Sequence, residues 1–467
     1  MDRKQDFTQR QISDPGVKTG RFVLISAGIS ALGGLLFGYN TGVISGAILF
    51  IKQDFLLSPT LEEIVISSTA LGALFGAAAG GILADRFGRR RIIIATAVLF
   101  ASGAIGSAFA ATAGTLVAAQ IVVGVAIGSA SFAAPLYISE VSPSNIRGRM
   151  VALNQIALTA GIVLSYLVDY LFSAVRGWRW MFAMSVFPAA ALGIGIFFMP
   201  ESPRWLVSRG FSGTAVDVLR RIRGITDVEA EVRVIQAGLG GQRGKWLELK
   251  DPSVRPALLT GVGLAIFQQM TGINTVIYYA PTIFQFAGFK SASAAILATA
   301  GVGIVNVVMT VVSRQLLDSF GRRPLLLMSL AGMVLGLIAL GLAFSLPGLS
   351  GMLGRVAVAS LALYVGSFAL GLGPVFWLLI SEIYPLKIRG LAMSIATTAN
   401  WSANLIVAVT FLTLVQAAGK AWSFWIYGLV AVGAWIFAYF IVPETRGRTL
   451  EEIEAHWRAG KHPREMR

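Results

Sequence analysis

A short charged loop occurs twice in this chain, each time wedged between two long apolar stretches. It reads Gly81-Ile82-Leu83-Ala84-Asp85-Arg86-Phe87-Gly88-Arg89-Arg90 first and Leu316-Leu317-Asp318-Ser319-Phe320-Gly321-Arg322-Arg323 second, 233 residues later in a chain of 467. Half of the chain is therefore a rerun of the other half, and whatever the first half folds into, the second must fold into as well. Two further segments keep the order. Ser139-Glu140-Val141-Ser142-Pro143-Ser144-Asn145-Ile146-Arg147-Gly148 returns as Ser381-Glu382-Ile383-Tyr384-Pro385-Leu386-Lys387-Ile388-Arg389-Gly390, and Pro200-Glu201-Ser202-Pro203-Arg204 as Pro443-Glu444-Thr445-Arg446-Gly447.

The repeated unit is built for lipid. Hydrophobic residues make up 55% and charged residues 13%, with a mean hydropathy of +0.73, which a water-soluble chain of this length has no use for. At about 20 apolar residues per crossing, spans fall near 22–50, 62–84, 92–112, 115–138, 150–172 and 180–199, then 256–286, 293–313, 324–346, 353–380, 390–416 and 422–442. The expected fold is an all-α integral membrane protein of twelve transmembrane helices, in six-helix bundles over 22–199 and 256–442 related by a pseudo-two-fold axis. Residues 200–255 read as a cytoplasmic linker with short amphipathic helices. Residues 1–21 and 443–467 read as a cytoplasmic N-terminus and tail.

The net charge of +15 does not point to nucleic acid, because the basic residues sit in short loops and not along a groove or an arm. If the first span runs outward, the outer segments hold only Lys52, Arg176, Arg179, Lys290, Arg355 and Lys420 of the 38 basic residues. The positive-inside rule then puts both termini in the cytoplasm. Residues 1–21 lack the apolar core of a cleaved signal peptide, so the first span itself directs insertion. The chain has no cysteine and two histidines, His456 and His462, both in the tail. It offers no P-loop and no metal cluster, so neither an enzyme nor a metal or other cofactor is expected.

Several motifs, in order, carry a family resemblance: Gly33-Gly34-Leu35-Leu36-Phe37-Gly38-Tyr39, the doubled Gly-Arg-Arg loops, Pro200-Glu201-Ser202-Pro203-Arg204, Gln268-Gln269-Met270-Thr271-Gly272-Ile273-Asn274, Gly373-Pro374-Val375-Phe376-Trp377 and Pro443-Glu444-Thr445. From about Arg21 to Glu454 the chain resembles the sugar porters of the major facilitator superfamily, which include bacterial proton-coupled xylose and galactose transporters and the facilitative glucose transporters. The resemblance implies the major facilitator fold and a multi-pass, monomeric monosaccharide transporter of the plasma (inner) membrane. It would work by alternating access, with a small neutral sugar and the lipid bilayer as its partners.

The side chains inside the spans suit a neutral ligand. An ionisable group at mid-membrane is costly, whereas amides offer donors and acceptors together. Gln155, Gln268, Gln269, Asn274, Asn306, Asn400 and Asn404 are such amides, and Trp377 and Trp401 offer flat faces to the C–H side of a sugar ring. Gln268 and Gln269 are neighbours, but a bend at Thr271-Gly272 can show both to one cavity. By resemblance these residues line the sugar cavity, Gln155 from the N-terminal half and the rest from the C-terminal half. Tyr278 and Tyr279 resemble the part of the seventh helix that closes over the sugar. Also by resemblance, Arg89, Glu140, Arg147 and Glu201 in one half, and Arg322, Glu382, Arg389 and Glu444 in the other, form cytoplasmic latches that tie the inner helix ends when the cavity opens outward.

Three positions depart from the family pattern. Proton-coupled members carry Asp where this chain has Asn40, and members usually carry Arg where it has Gln120; neither Asn nor Gln titrates. Asp169 falls toward the outer end of the fifth span, and Asp54, Glu62 and Glu63 fall outside, so no replacement carboxylate is expected near the midplane. Facilitated uniport is the favoured expectation; a sugar:proton symporter, natural or neutralised, and a polyol or inositol transporter are the alternatives. Ser319 stands where the family has Arg, and a weakened C-terminal latch is expected from it.

Overall fold

The computed structural model describes residues 21–458 apart from 144–145, 225–227, 240–247, 250, 252–253, 347–350, 386–387 and 449. Among these, twelve helices are long and apolar enough to cross a membrane. They are spans 1 to 6 (Phe22–Asp54, Pro59–Phe87, Arg89–Ala108, Ala113–Val141, Arg149–Ser173, Trp178–Phe197) and spans 7 to 12 (Arg255–Phe286, Ala292–Leu317, Arg322–Ser345, Leu353–Glu382, Arg389–Ala418, Lys420–Ile441). The duplication seen in the sequence is a duplication of packing. Span 1 packs on 5, 2 on 4, and 3 on 4 and 6; span 7 likewise packs on 11, 8 on 10, and 9 on 10 and 12. The joint between the halves obeys the same two-fold relation, with span 2 against 11 and span 5 against 8.

Small residues allow the closest of these contacts. Gly72 and Gly76 of span 2 lie against the backbone of span 4, and Gly124 and Gly128 of span 4 against that of span 2, where an added methyl would overlap main-chain atoms. Turn chemistry fixes the helix ends. Ser58 accepts from the Leu61 N–H to start span 2, Thr112 and Thr115 form a capping box at span 4, and Ser291 accepts from the Ala294 N–H at span 8.

Between the halves lie three short helices, Pro203–Ser208, Ser212–Arg223 and Glu229–Leu239, packed on Leu206, Ala215, Leu219, Val228 and Val232. A further helix, Leu450–Arg458, anchors through Trp457, whose Nε1 donates to the Ile383 carbonyl at 3.1 Å. The side of the bundle that bears these short helices is called the linker face below, and the opposite side the far face.

Candidate substrate site and its gates

Two broken helices build the polar centre of the C-terminal half. Span 7 stops at Met270 and restarts at Ile273 over Gly272, whose φ of 91° suits a residue without a Cβ. Span 10 stops at Leu370 and restarts at Leu372. Backbone groups freed in an apolar bundle must be satisfied by protein. Tyr364 Oη donates to the Thr271 carbonyl (2.8 Å), Ser329 Oγ accepts from the Leu372 N–H (3.0 Å), and Gln268 Nε2 donates to the Leu372 and Gly373 carbonyls (3.2 and 3.3 Å).

The same break lets successive amides meet. Asn274 Nδ2 donates to Gln269 Oε1 at 2.7 Å, and Gln269 Nε2 to Asn400 Oδ1 at 3.0 Å. Asn400 Nδ2 donates to Gln268 Oε1 (2.7 Å) and to the Ala265 carbonyl (3.0 Å). Gln268, Gln269, Asn274 and Asn400 are therefore one hydrogen-bonded network, in which each amide fixes the orientation of the next.

A small cleft between the halves is lined by Phe37, Asn40, Tyr278 and Trp401 among others, the last two respectively one helical turn from Asn274 and next to Asn400 in sequence. Three buried polar atoms near this joint have no hydrogen-bond partner: Asn40 Oδ1, Trp401 Nε1 and Asn404 Oδ1. Asn404 Nδ2 donates to Tyr278 Oη (3.4 Å), and Trp401 packs on Phe37 of the other half with ring centroids 5.6 Å apart. Asn40 and Trp401, which line the cleft, thus carry an unpaired acceptor and an unpaired donor that a polar ligand would satisfy.

The remaining expected site residues lie elsewhere. Tyr279 turns away from the cleft, donating to the Ala408 carbonyl (3.3 Å) and packing on Phe411, so the adjacent tyrosines do different things. Trp377 is 37% exposed and meets Phe376 edge-on. Gln155 is half-buried, and Asn306 is buried on span 8, where its backbone carbonyl accepts from Thr310; no hydrogen bond shown joins either to the amide network. Gln120 is fully buried inside the N-terminal half, accepting from Thr69 (2.8 Å) and donating to Ser107 (3.0 Å). It ties spans 2, 3 and 4 together and makes no bond to Asn40.

On the linker face the two charged loops fold alike. Gly88 and Gly321 carry φ values of 98° and 94°, and the carboxylates of Glu201 and Glu444 fill the space that a Cβ would take. Glu201 accepts from the N–H groups of Arg89 and Arg90 (2.9 and 3.1 Å), and Glu444 from those of Arg322 and Arg323 (3.1 and 3.0 Å). Each glutamate thus caps the N-terminus of a span, where the helix dipole favours negative charge. Arg89 pairs with Glu140 (Nε to Oε2, 3.0 Å), which also accepts from Ser202 Oγ (2.5 Å). Arg322 pairs with Glu382 (2.9 Å), which accepts from Thr445 Oγ1 (2.5 Å). Ser202 and Thr445 were not anticipated from sequence. Arg389 donates to the Tyr384 carbonyl (3.4 Å); the Arg147 side chain lies outside the described residues.

Ser319 takes no side-chain part in the Arg322–Glu382 core. Its hydroxyl turns back to the Gln315 and Leu316 carbonyls, while its own carbonyl accepts from Arg446. In the first copy, Arg86 stacks on Phe87 and its carbonyl accepts from Arg209. Both copies use the backbone at this position, and the Arg–Glu core closes without the side chain.

The far face holds the halves together, and here the reading of the carboxylates needs correcting. Glu63 is 1% exposed and accepts from both the N–H and the hydroxyl of Thr413 on span 11 (2.8 and 2.7 Å). Glu62 is buried beside it. Ser173 meets Ser293 at 2.7 Å, and Tyr166 Oη donates to the Ile277 carbonyl at 3.3 Å. Asp169 is 0% exposed, so its place near the end of span 5 does not put it in water. For Glu63 the cause is the opposite half, whose Thr413 covers it; Asp169 packs against Gly46 of span 1, within its own half.

The family described as "Sugar (and other) transporter" matches residues 27–457. The chain is 43% identical over 432 residues to a D-xylose transporter of Levilactobacillus brevis, covering 92% of this chain and 94% of that protein. It is 39% identical over 464 residues to the arabinose-proton symporter of Escherichia coli (strain K12), covering 98% of each. Among solved structures, the inward-open conformation of the xylose transporter XylE from E. coli superposes with a TM-score of 0.80 at 36% identity, covering 93% of this chain and 100% of that one. Twelve spans, a two-fold packing scheme and these similarities agree: the chain belongs to the sugar transporter family of the major facilitator superfamily, whose members are transporters and not enzymes.

Proposed function

We propose that this transporter moves a neutral monosaccharide, a hexose or pentose such as glucose, galactose or xylose, across the cell membrane by alternating access. The observation that carries this reading is the amide network of Gln268, Gln269, Asn274 and Asn400 beside the unpaired Asn40, Trp401 and Asn404 atoms. Such a set can donate to and accept from a ring of hydroxyls while its lack of charge favours a neutral ligand. Gln155, Asn306 and Trp377 would reach the sugar in another state of the cycle, and Tyr278 would close over it. With the linker face and both termini in the cytoplasm, the state described here is closed toward the outside.

Downhill uniport is the favoured energetic mode, because Asn40 and Gln120 cannot exchange a proton. Proton symport is the second reading, favoured by the similarity to the arabinose-proton symporter. The arginine and glutamate pairs on the linker face would act as latches that stiffen each half. The test is counterflow of labelled xylose, glucose, galactose and inositol in proteoliposomes holding the purified protein. Uptake of a monosaccharide without alkalinisation of the medium is expected. Uptake of inositol alone would refute the substrate class, and sugar-driven alkalinisation would refute uniport.

A further inference from the structure

The restarted half of span 7, Ile273–Phe286, contains Pro281. In an α-helix the carbonyl of residue i accepts from the N–H of residue i+4, and proline has no N–H to give. Pro281 therefore leaves the carbonyl of Ile277, a buried residue, without its helical donor. Span 10 meets the same demand inside its own half: Pro374 stands four residues after Leu370, and Ser313 Oγ of span 8 donates to the Leu370 carbonyl at 2.6 Å. For Ile277 the donor comes from the other half. It is Tyr166 Oη of span 5, at 3.3 Å.

The packing around Tyr166 suits it to this task. The residue is 3% exposed, and glycines on two other spans make room for its ring. A methyl on Gly42 of span 1 would come within 3.2 Å of that ring, and one on Gly303 of span 8 within 3.1 Å. Gly303 belongs to the opposite half, so ring and hydroxyl both engage across the joint.

The segment that Tyr166 holds carries part of the candidate site. Gly272 cuts Ile273–Phe286 off from the helix before it, so helix continuity does not fix its orientation and its side-chain bonds must. Asn274 bonds to Gln269, Tyr278 to Asn404 and Tyr279 to the Ala408 carbonyl, all within the C-terminal half. Among the described residues, the bond from Tyr166 is the one hydrogen bond shown that ties this segment to the N-terminal half. Ile277 precedes Tyr278, which lines the cleft. Holding the carbonyl of the first sets the side chain of the second.

We infer that Tyr166 is a positioning residue for the substrate: by supplying the donor that Pro281 withholds from Ile277, it seats Tyr278 over the cleft as the far face closes. The substrate in this inference is the sugar of the function proposed above, on which it rests. Withdrawing span 5 from span 7 breaks the bond, and Pro281 offers no N–H in its place. The bond therefore stabilises the closed state and not the open one.

The chain has no cysteine, so spin labels can be placed at the exposed positions Leu56 and Lys290, one in each half. Distances between Leu56→Cys and Lys290→Cys labels in nanodiscs report the far face without sugar. Tyr166→Phe keeps the ring and removes only the donor. It should raise the open-to-closed ratio by about 2- to 10-fold, the worth of one hydrogen bond, and raise the Kd for xylose or glucose by a similar factor. Pro281→Ala returns an N–H to Ile277, so in that background Tyr166→Phe should change neither quantity, whereas a side chain that merely packs would keep its effect there. Equal effects in the two backgrounds, or unchanged distances in Tyr166→Phe, overturn the proposal. A shift in distances with an unchanged Kd overturns it too, because the gate would then close without setting Tyr278 on the sugar. Should Pro281→Ala fail to fold, para-aminophenylalanine in place of Tyr166 restores a donor on the same ring: recovery of the wild-type distances supports the proposal, and persistence of the Tyr166→Phe distances overturns it. Because the gate is read without sugar, failure of the wild-type protein to bind a monosaccharide counts against the function proposed above and not against the bond from Tyr166.

Discussion

Replacing Glu63 with glutamine should open the far face. The wild-type carboxylate accepts two hydrogen bonds from Thr413, at 2.8 and 2.7 Å, in a site with 1% exposure. The amide keeps the size but has one acceptor oxygen, and its NH₂ would point at a donor. At least one bond to a charged acceptor is lost, which contributes about 1.5–3 kcal/mol when buried. Those bonds join the two halves, so the loss falls on the closed state and not on the open one. At 1.4 kcal/mol per factor of ten, the open population should rise roughly 10- to 100-fold. A Ser173→Cys background reports this at fixed pH through the rate of labelling by a membrane-impermeant maleimide, which in a closed-dominated equilibrium follows the open fraction. The double variant with Thr413→Val should label more slowly than the product of the two single effects predicts, because the hydroxyl bond between the partners can be lost only once. Labelling unchanged by Glu63→Gln, or fully additive effects, would refute the idea that this contact holds the gate.

Other consequences are more local. Asn274→Ala removes the donor to Gln269 Oε1 and should raise the sugar Kd by about 2- to 10-fold, the worth of one hydrogen bond, while lowering stability by no more than about 1 kcal/mol, so that the protein still folds by thermal shift; unchanged binding removes it from the site. Tyr279→Phe should leave the sugar Kd alone while lowering stability by about 1 kcal/mol, because its hydroxyl serves the Ala408 carbonyl; calorimetry of binding and melting separates the two. Gly321→Ala should lower stability by about 1–3 kcal/mol, since it strains a φ of 94° and displaces Glu444 from its cap; melting in detergent checks it, and a neutral result would mean that the loop relaxes freely.

What could be read from the sequence depended on whether the determining contacts were local. The spans were legible because lipid demands long apolar runs, and the loops because Gly88 and Gly321 recur in one register with the same charges after them. The Gln268, Gln269 and Asn274 grouping was legible because the helix breaker Gly272 lies among them. Tyr278 and Tyr279 were not separable, because spacing does not say which of two neighbours faces a cleft. Glu62 and Glu63, expected outside, were misread for a different reason. Position along a helix tells how near a residue is to the end of its own span, but burial at Glu63 is decided by Thr413 of span 11, 350 residues away. Ser202 and Thr445 were equally hidden, since a lone hydroxyl beside a glutamate has many partners open to it until Glu140 and Glu382 are brought within 2.5 Å.

The two sets of charged contacts therefore divide the work between the faces. On the linker face each Arg–Glu–hydroxyl core lies within one half, and both are formed while the far face is closed. Contacts of this kind cannot by themselves report which way the cavity faces; they hold spans 3 and 4, or 9 and 10, as one body that can rock. On the far face the bonds from Glu63, Tyr166 and Ser173 cross between the halves and must break if that face opens. Asymmetry at Ser319 then matters less than it first suggests, because it alters a loop whose carbonyl does the bonding. The buried carboxyl of Glu63 matters more: it stands where the two rigid bodies meet, so a change there alters the balance between states while leaving each half intact.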